Sequence, residues 1–132
     1  MKYKVVLTLI LNMSLFMSQA QEHNEALPYY EIPDAPETYS QGALVARMVD
    51  GLGFRYYWAS EGLSPEDLAF RPSPEARTSG ETIDHILGLS TVILNTAIHK
   101  ANEGNDFEDL SFYEKRKLTL HNLKTAADIF RK

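Results

Sequence analysis

The chain has 132 residues, the length of one domain, and its 44% hydrophobic and 23% charged content is ordinary for a globular protein, so multi-domain and disordered readings fall away. It has no cysteine, which excludes disulfides and also the thiol that a lipid-modified lipoprotein carries at its processed N-terminus. Acidic residues outnumber basic ones, 18 to 13, so nucleic acid, whose phosphates need a basic footprint, is a poor partner.

Residues 1–20 differ from the rest. Lys2 and Lys4 precede an apolar run from Val5 to Met17, which gives way to Ser18, Gln19 and Ala20. This is the pattern of a secretory signal with small residues at its cleavage site. The run is interrupted by Asn12 and Ser14 and falls short of the roughly 20 residues that cross a bilayer. Cleavage after Ala20 removes two lysines and no acid, leaving 11 basic against 18 acidic residues, a formal charge of −7. That balance also disfavours anionic membrane surfaces. The expected mature form is exported from a bacterial cell, periplasmic or secreted, with no membrane association.

Residues 21–36 contain three prolines and no sustained period, and read as an extended surface arm with His23 in solvent. The domain proper is expected over residues 37–132. Asp34 and Glu37 have capping-box spacing, and apolar residues recur at Val45, Met48, Val49, Leu52, Tyr56 and Ala59, which predicts a helix from about Glu37 to Ser60. Gly51 and Gly53 cost helix propensity there, implying a close helix approach or a bend. Tyr56, Tyr57 and Trp58 read as packing at the core and its edge.

Residues 61–80 form a punctuated connector. Ser64 followed by Pro65, Glu66 and Asp67 predicts a short helical turn, and Pro72 and Pro74 stop it. Arg71 and Arg77 are candidate anion binders, set against the plain reading of hydrated loop arginines. Thr78 with Glu81 opens a second long helix running to about Asn102, and Ser111 with Glu114 opens a third from about Phe112 to the end. No segment alternates like a strand. The fold class is therefore all-α: three long packed helices with a short helical turn in the first connector.

On the middle helix, at 100° per residue, Asp84, Gly88, Thr91, Asn95 and Asn102 fall on one narrow polar strip. Ile83, Ile86, Leu87, Leu89, Val92, Ile93 and Leu94 cover well over half the circumference, which demands more than one covering neighbour. His85 lies at the edge of this arc, between Val92 and Leu89. His99 stands 14 residues on, roughly 21 Å along the axis, so the two imidazoles cannot share one metal within a chain. In the last turn of its helix, His99 would complement the helix dipole. His121 shares a strip with Glu114, Lys117, Lys124, Thr125 and Asp128, opposite an apolar face of Phe112, Leu120, Leu123, Ala127 and Phe130. In a hairpin turning near Phe107, His121 would sit roughly 12 Å from the level of His85 and 9 Å from that of His99, too far for joint ligation.

The stretch from Gly51 to Ala97 resembles the DinB-like family of four-helix bundles, in which an L-S-x-E-D-L-x-[FW]-x-P connector precedes a helix carrying H-I/L-x-x-L. Those elements stand here as Leu63 to Asp67, Leu68, Phe70 and Pro72, then His85, Ile86 and Leu89. The resemblance implies an up-down-down-up bundle, with the second and third long helices parallel rather than hairpinned. It also implies a divalent metal, zinc or nickel, held by three histidines, of which His85 matches the first. The other two, spaced H-x-x-x-H on a fourth helix, have no match, so the metal site is incomplete in this chain. A missing fourth helix accords with the wide apolar arc of the middle helix. The chain then reads either as a truncated form of a longer protein or as a three-helix variant that forms a homodimer over its open apolar face. In its complete form the family type implies a metal-dependent hydrolase or thiol transferase acting on a small molecule. The alternatives are a non-catalytic binding module, with His85 merely packed, and a fragment without activity.

Overall fold

A computed structural model describes residues 26–104 and 106–132. The signal read over residues 1–20, its cleavage site and His23 lie outside the described residues. The described chain is an all-α helix bundle: α1 spans Gln41–Ala59, α2 Pro65–Ala69, α3 Ser79–Ala97 and α4 Phe112–Phe130. None of these helices is long and apolar enough to cross a membrane.

Three of the four helix starts are set by reciprocal side-chain caps. The hydroxyls of Ser64, Thr78 and Ser111 accept from the backbone N–H groups of Asp67, Glu81 and Glu114, whose carboxylates accept in turn from the cap N–H groups. Helix α1 begins later than the Asp34–Glu37 spacing predicts. Its N-cap is Ser40, which accepts from the Ala43 N–H at 3.0 Å, and the preceding residues stay outside the helix. Arg47, in the second turn of α1, donates to the Pro33 carbonyl and ties the arm back along it.

Helix α3 ends five residues before the expected Asn102. Ile98 is its C-cap, and His99 follows in the left-handed region at φ 56°. The Lys100 N–H then donates to the Asn95 carbonyl at 2.8 Å and the His99 N–H to the Thr96 carbonyl at 3.3 Å, the bond pair of a Schellman turn. The Asn95 side chain, donating to Asn102 Oδ1 at 3.0 Å, holds the departing strand of chain. His99 is therefore a turn residue beyond the helix, and not one complementing the dipole from its last turn.

Helix α4 is the shared partner: α1 and α3 both pack on it, α2 packs on α3, and α1 and α3 make no close backbone contact. Its Leu120, Leu123 and Ala127 are fully buried and form one core cluster with Ala46, Val49 and Tyr56 of α1 and Ile83 of α3. Directions follow from polar pairs. Arg116 donates to Ser60 Oγ at 3.0 Å while Arg131 pairs with Asp50, so α1 and α4 are antiparallel. Lys115 meets Asp84 at 2.7 Å while Asn122 donates to Thr91 Oγ1 at 3.3 Å, so numbers rise together and α3 and α4 are parallel. The hairpin register used to place His121 is thereby corrected. The segment between α3 and α4 is long enough to return along a helix of about 28 Å, which makes a parallel pair feasible.

Asp50 is 1% exposed and has two partners: Arg131 at the end of α4, and Tyr29 Oη, which donates to it at 3.1 Å. Burial, with the Asp50 charge beside it, pushes the Tyr29 phenol well above its usual range. Tyr29 itself is at φ 75° and lays its ring over Gly53. The close approach at this glycine is thus made by the arm and not by a second helix. A Cβ on residue 53 would lie 2.4 Å from Tyr29 Cε2. Gly53→Ala is expected to lower stability by about 1–3 kcal/mol, read as a reduced urea midpoint. In a Tyr29→Ala background the same change should cost nothing, since alanine is the better helix former; an equal loss in both backgrounds would place the strain elsewhere.

Candidate ligand cavity and the His85 face

Part of the narrow polar strip of α3 meets α4. Ser90 and Asn95 are buried and Thr91 half-buried, and Asn122 of α4 donates to Ser90 Oγ at 3.2 Å as well as to Thr91. Apolar residues take the outer side instead, with Leu89 49% and Val92 41% exposed. The arrangement has a physical cause: Asn122 is itself buried in α4 and needs acceptors, and Ser90 and Thr91 supply them. His85 stands on the exposed row with Thr82, Leu89, Val92 and Thr96.

A matching row lies on α1, where Leu44, Val45, Met48 and Leu52 are exposed, Met48 to 75%. Because α1 and α3 are antiparallel and both rest on α4 without close backbone contact with each other, a groove runs between them. At one end the connector closes this groove into an open cavity of about 350 Å³. Tyr56, Ala59 and Ser60 of α1 form one wall, and Ser79, Thr82, Ile83 and Ile86 of α3 the other. Leu63, Phe70, Pro72 and Arg77 of the connector complete the lining.

The connector is held in that position by its own bonds. Capped by Ser64, α2 presents Leu68 to the core, and the Ser79 N–H donates to the Phe70 carbonyl at 3.0 Å. Arg71 donates to the Ala76 carbonyl and to both oxygens of Glu81 at 3.1 Å. The Thr78 backbone N–H, with Arg71 beside it, holds the Glu81 carboxyl below its usual range. One of the two connector arginines is therefore committed. Arg77 has no ion pair or hydrogen bond among the described residues.

Tyr56 presents its ring to the cavity, but its hydroxyl is buried and has no hydrogen-bond partner among the described residues. Thr119 lies beside it and commits its own hydroxyl to the Lys115 carbonyl at 2.8 Å. Burial pushes the Tyr56 phenol above its usual range. Its neighbours Tyr57 and Trp58 turn away from the cavity toward the arm: Trp58 Nε1 donates to the Tyr30 carbonyl at 3.3 Å, and Tyr57 stacks under the Arg116 guanidinium at 4.5 Å.

The histidines do not converge. His121 Nδ1 bonds the Lys117 carbonyl of its own helix at 2.8 Å and is half-buried, His99 sits in the turn after α3, and His85 stands on the outer row. A catalytic zinc takes about three protein donors and a structural one about four. Among the described residues no three His, Asp or Glu side chains are gathered to hold an ion. The described residues alone do not supply the donor set of a metal site. No protein-family model matches the chain, and neither a curated protein nor a solved structure matches it.

Proposed function

We propose that the protein is an exported DinB-like helical bundle and that the helices described act as a binding module for a small molecule. The observation that carries this reading is the cavity between α1, the connector and α3. Its size falls in the usual range of ligand sites, its walls are mainly apolar, and the polar side chains among them are few. The parallel course of α3 and α4 supports the DinB-like part of the reading.

A second reading is favoured by the position of His85, an exposed imidazole on the face that nothing in the described chain covers. In it, His85 is one ligand of a zinc or nickel ion, and the further donors come from a segment or a second copy lying over the apolar rows. The assembled protein is then a metal-dependent hydrolase or thiol transferase, the ion serving to polarise a substrate or acidify a bound water or thiol.

Three measurements test these readings. A titration with 1-octanol followed by amide NMR is expected to move the signals of Ile83 and Ile86; unmoved signals there would remove the binding-module reading. Zinc affinity in the His85→Ala variant is expected to drop by at least about tenfold under the metal reading, and an unchanged affinity would end it. Intact mass of the protein recovered from the exporting cell is expected to begin at Gln21, whereas retention of Met1 would contradict export by cleavage.

A further inference from the structure

The cavity has an asymmetry of charge that its apolar walls make specific. The chain is acidic, with a formal charge of −5 over its full length, yet among the described residues no carboxylate lines this cavity. Among the described residues, the one lining group that is charged at neutral pH is Arg77. Glu81, at the connector–α3 junction, is folded onto the Thr78 N–H and bridged on both oxygens by Arg71. That arrangement neutralises one arginine and leaves the other without a counter-charge. Beside Arg77, Ser79 and Thr82 bring small hydroxyl side chains from the first turn of α3, where the helix dipole is positive. Phe70 remains 62% exposed although it belongs to the cavity wall, an arrangement that leaves its ring with uncovered apolar surface to offer.

We infer that the cavity takes a small amphipathic carboxylate, its apolar body against Tyr56, Leu63, Phe70, Ile83 and Ile86 and its carboxylate on the Arg77 guanidinium. The inference rests on the binding-module reading and adds the class of ligand. Arginine suits the role because its planar fork matches a carboxylate with two parallel hydrogen bonds, and it stays charged at every physiological pH. The apolar walls select for chain length, and the rim selects for the sign of the head group. Neither His85 nor a metal takes part.

The test compares octanoate, 1-octanol and octylamine on the purified protein, by amide NMR with calorimetry for affinity. Octanoate is expected to move Ile83, Ile86 and Arg77 and to bind about fivefold more tightly than octanol, the gain of one partly exposed ion pair, with octylamine weakest. Shortening octanoate to hexanoate should weaken binding by up to about fourfold per methylene removed, the ratio equivalent to burying one methylene. Arg77→Gln changes an exposed side chain, and should remove the octanoate advantage while leaving octanol unchanged. Thr82→Trp, also at an exposed position, fills the cavity mouth and should weaken both ligands at least tenfold, with helical circular dichroism retained. Equal affinity for octanoate and octanol, or no effect of Arg77→Gln, overturns the carboxylate assignment and leaves the binding module standing. No response at Ile83 and Ile86 to any of the three probes overturns both.

Discussion

A carboxylate sealed from water must be answered by charge and hydrogen bonds, and Asp50 imposes that demand in the interior of α1. Its two partners come from opposite ends of the described chain: Tyr29 from the arm and Arg131 from the end of α4. At the other end of the same helix pair, Arg116 is 6% exposed and is satisfied by Ser60 Oγ, the Tyr57 carbonyl and Glu61. With a buried cation at one end and a buried anion at the other, α1 and α4 have one register in which neither charge is left alone. Helix α3 is then hung on another face of α4 by Asn122 and Lys115. The groove between α1 and α3 is what remains when both helices are fixed to a third and not to each other.

The cavity inherits its character from this arrangement. Two helix walls supply aliphatic and aromatic surface, while the connector is stapled by a capped turn and by Arg71, so it closes one end of the groove without a packed core of its own. Its residues are therefore free to differ in role. Leu68 packs inward, Arg71 locks the α3 entrance, and Phe70 and Arg77 are left facing the opening.

What was legible in the sequence was local, and what was missed was tertiary. The boxes at Thr78–Glu81 and Ser111–Glu114 were readable because cap and acid lie within one turn and need nothing else. Asp34–Glu37 has the same spacing and is not a cap, since Ser40 takes that role and Arg47 holds the arm outside the helix. The core row Leu120, Leu123 and Ala127 was visible from its period. That the polar strip of α3 turns partly inward is not legible, because sequence cannot say that a buried asparagine on α4 needs the hydroxyls of Ser90 and Thr91. Arg71 and Arg77 looked alike for the same reason: only the fold brings Glu81 to one of them. The cavity itself had no linear signal, being made by three segments that meet only once α4 is in place. His85 was singled out by a motif, and the structure puts it on an exposed apolar row without companions.

One consequence of the central position of α4 concerns the order of events during synthesis. The contacts that fasten α1 span 56 residues from Ser60 to Arg116 and 81 from Asp50 to Arg131, and α1 and α3 have little to hold each other with in the meantime. A nascent chain of this kind has no cooperative core until residues 112–130 have left the ribosome, because the loop entropy of joining its early helices is not yet repaid. Such a polypeptide stays open until α4 has been made, and then compacts in one step around it.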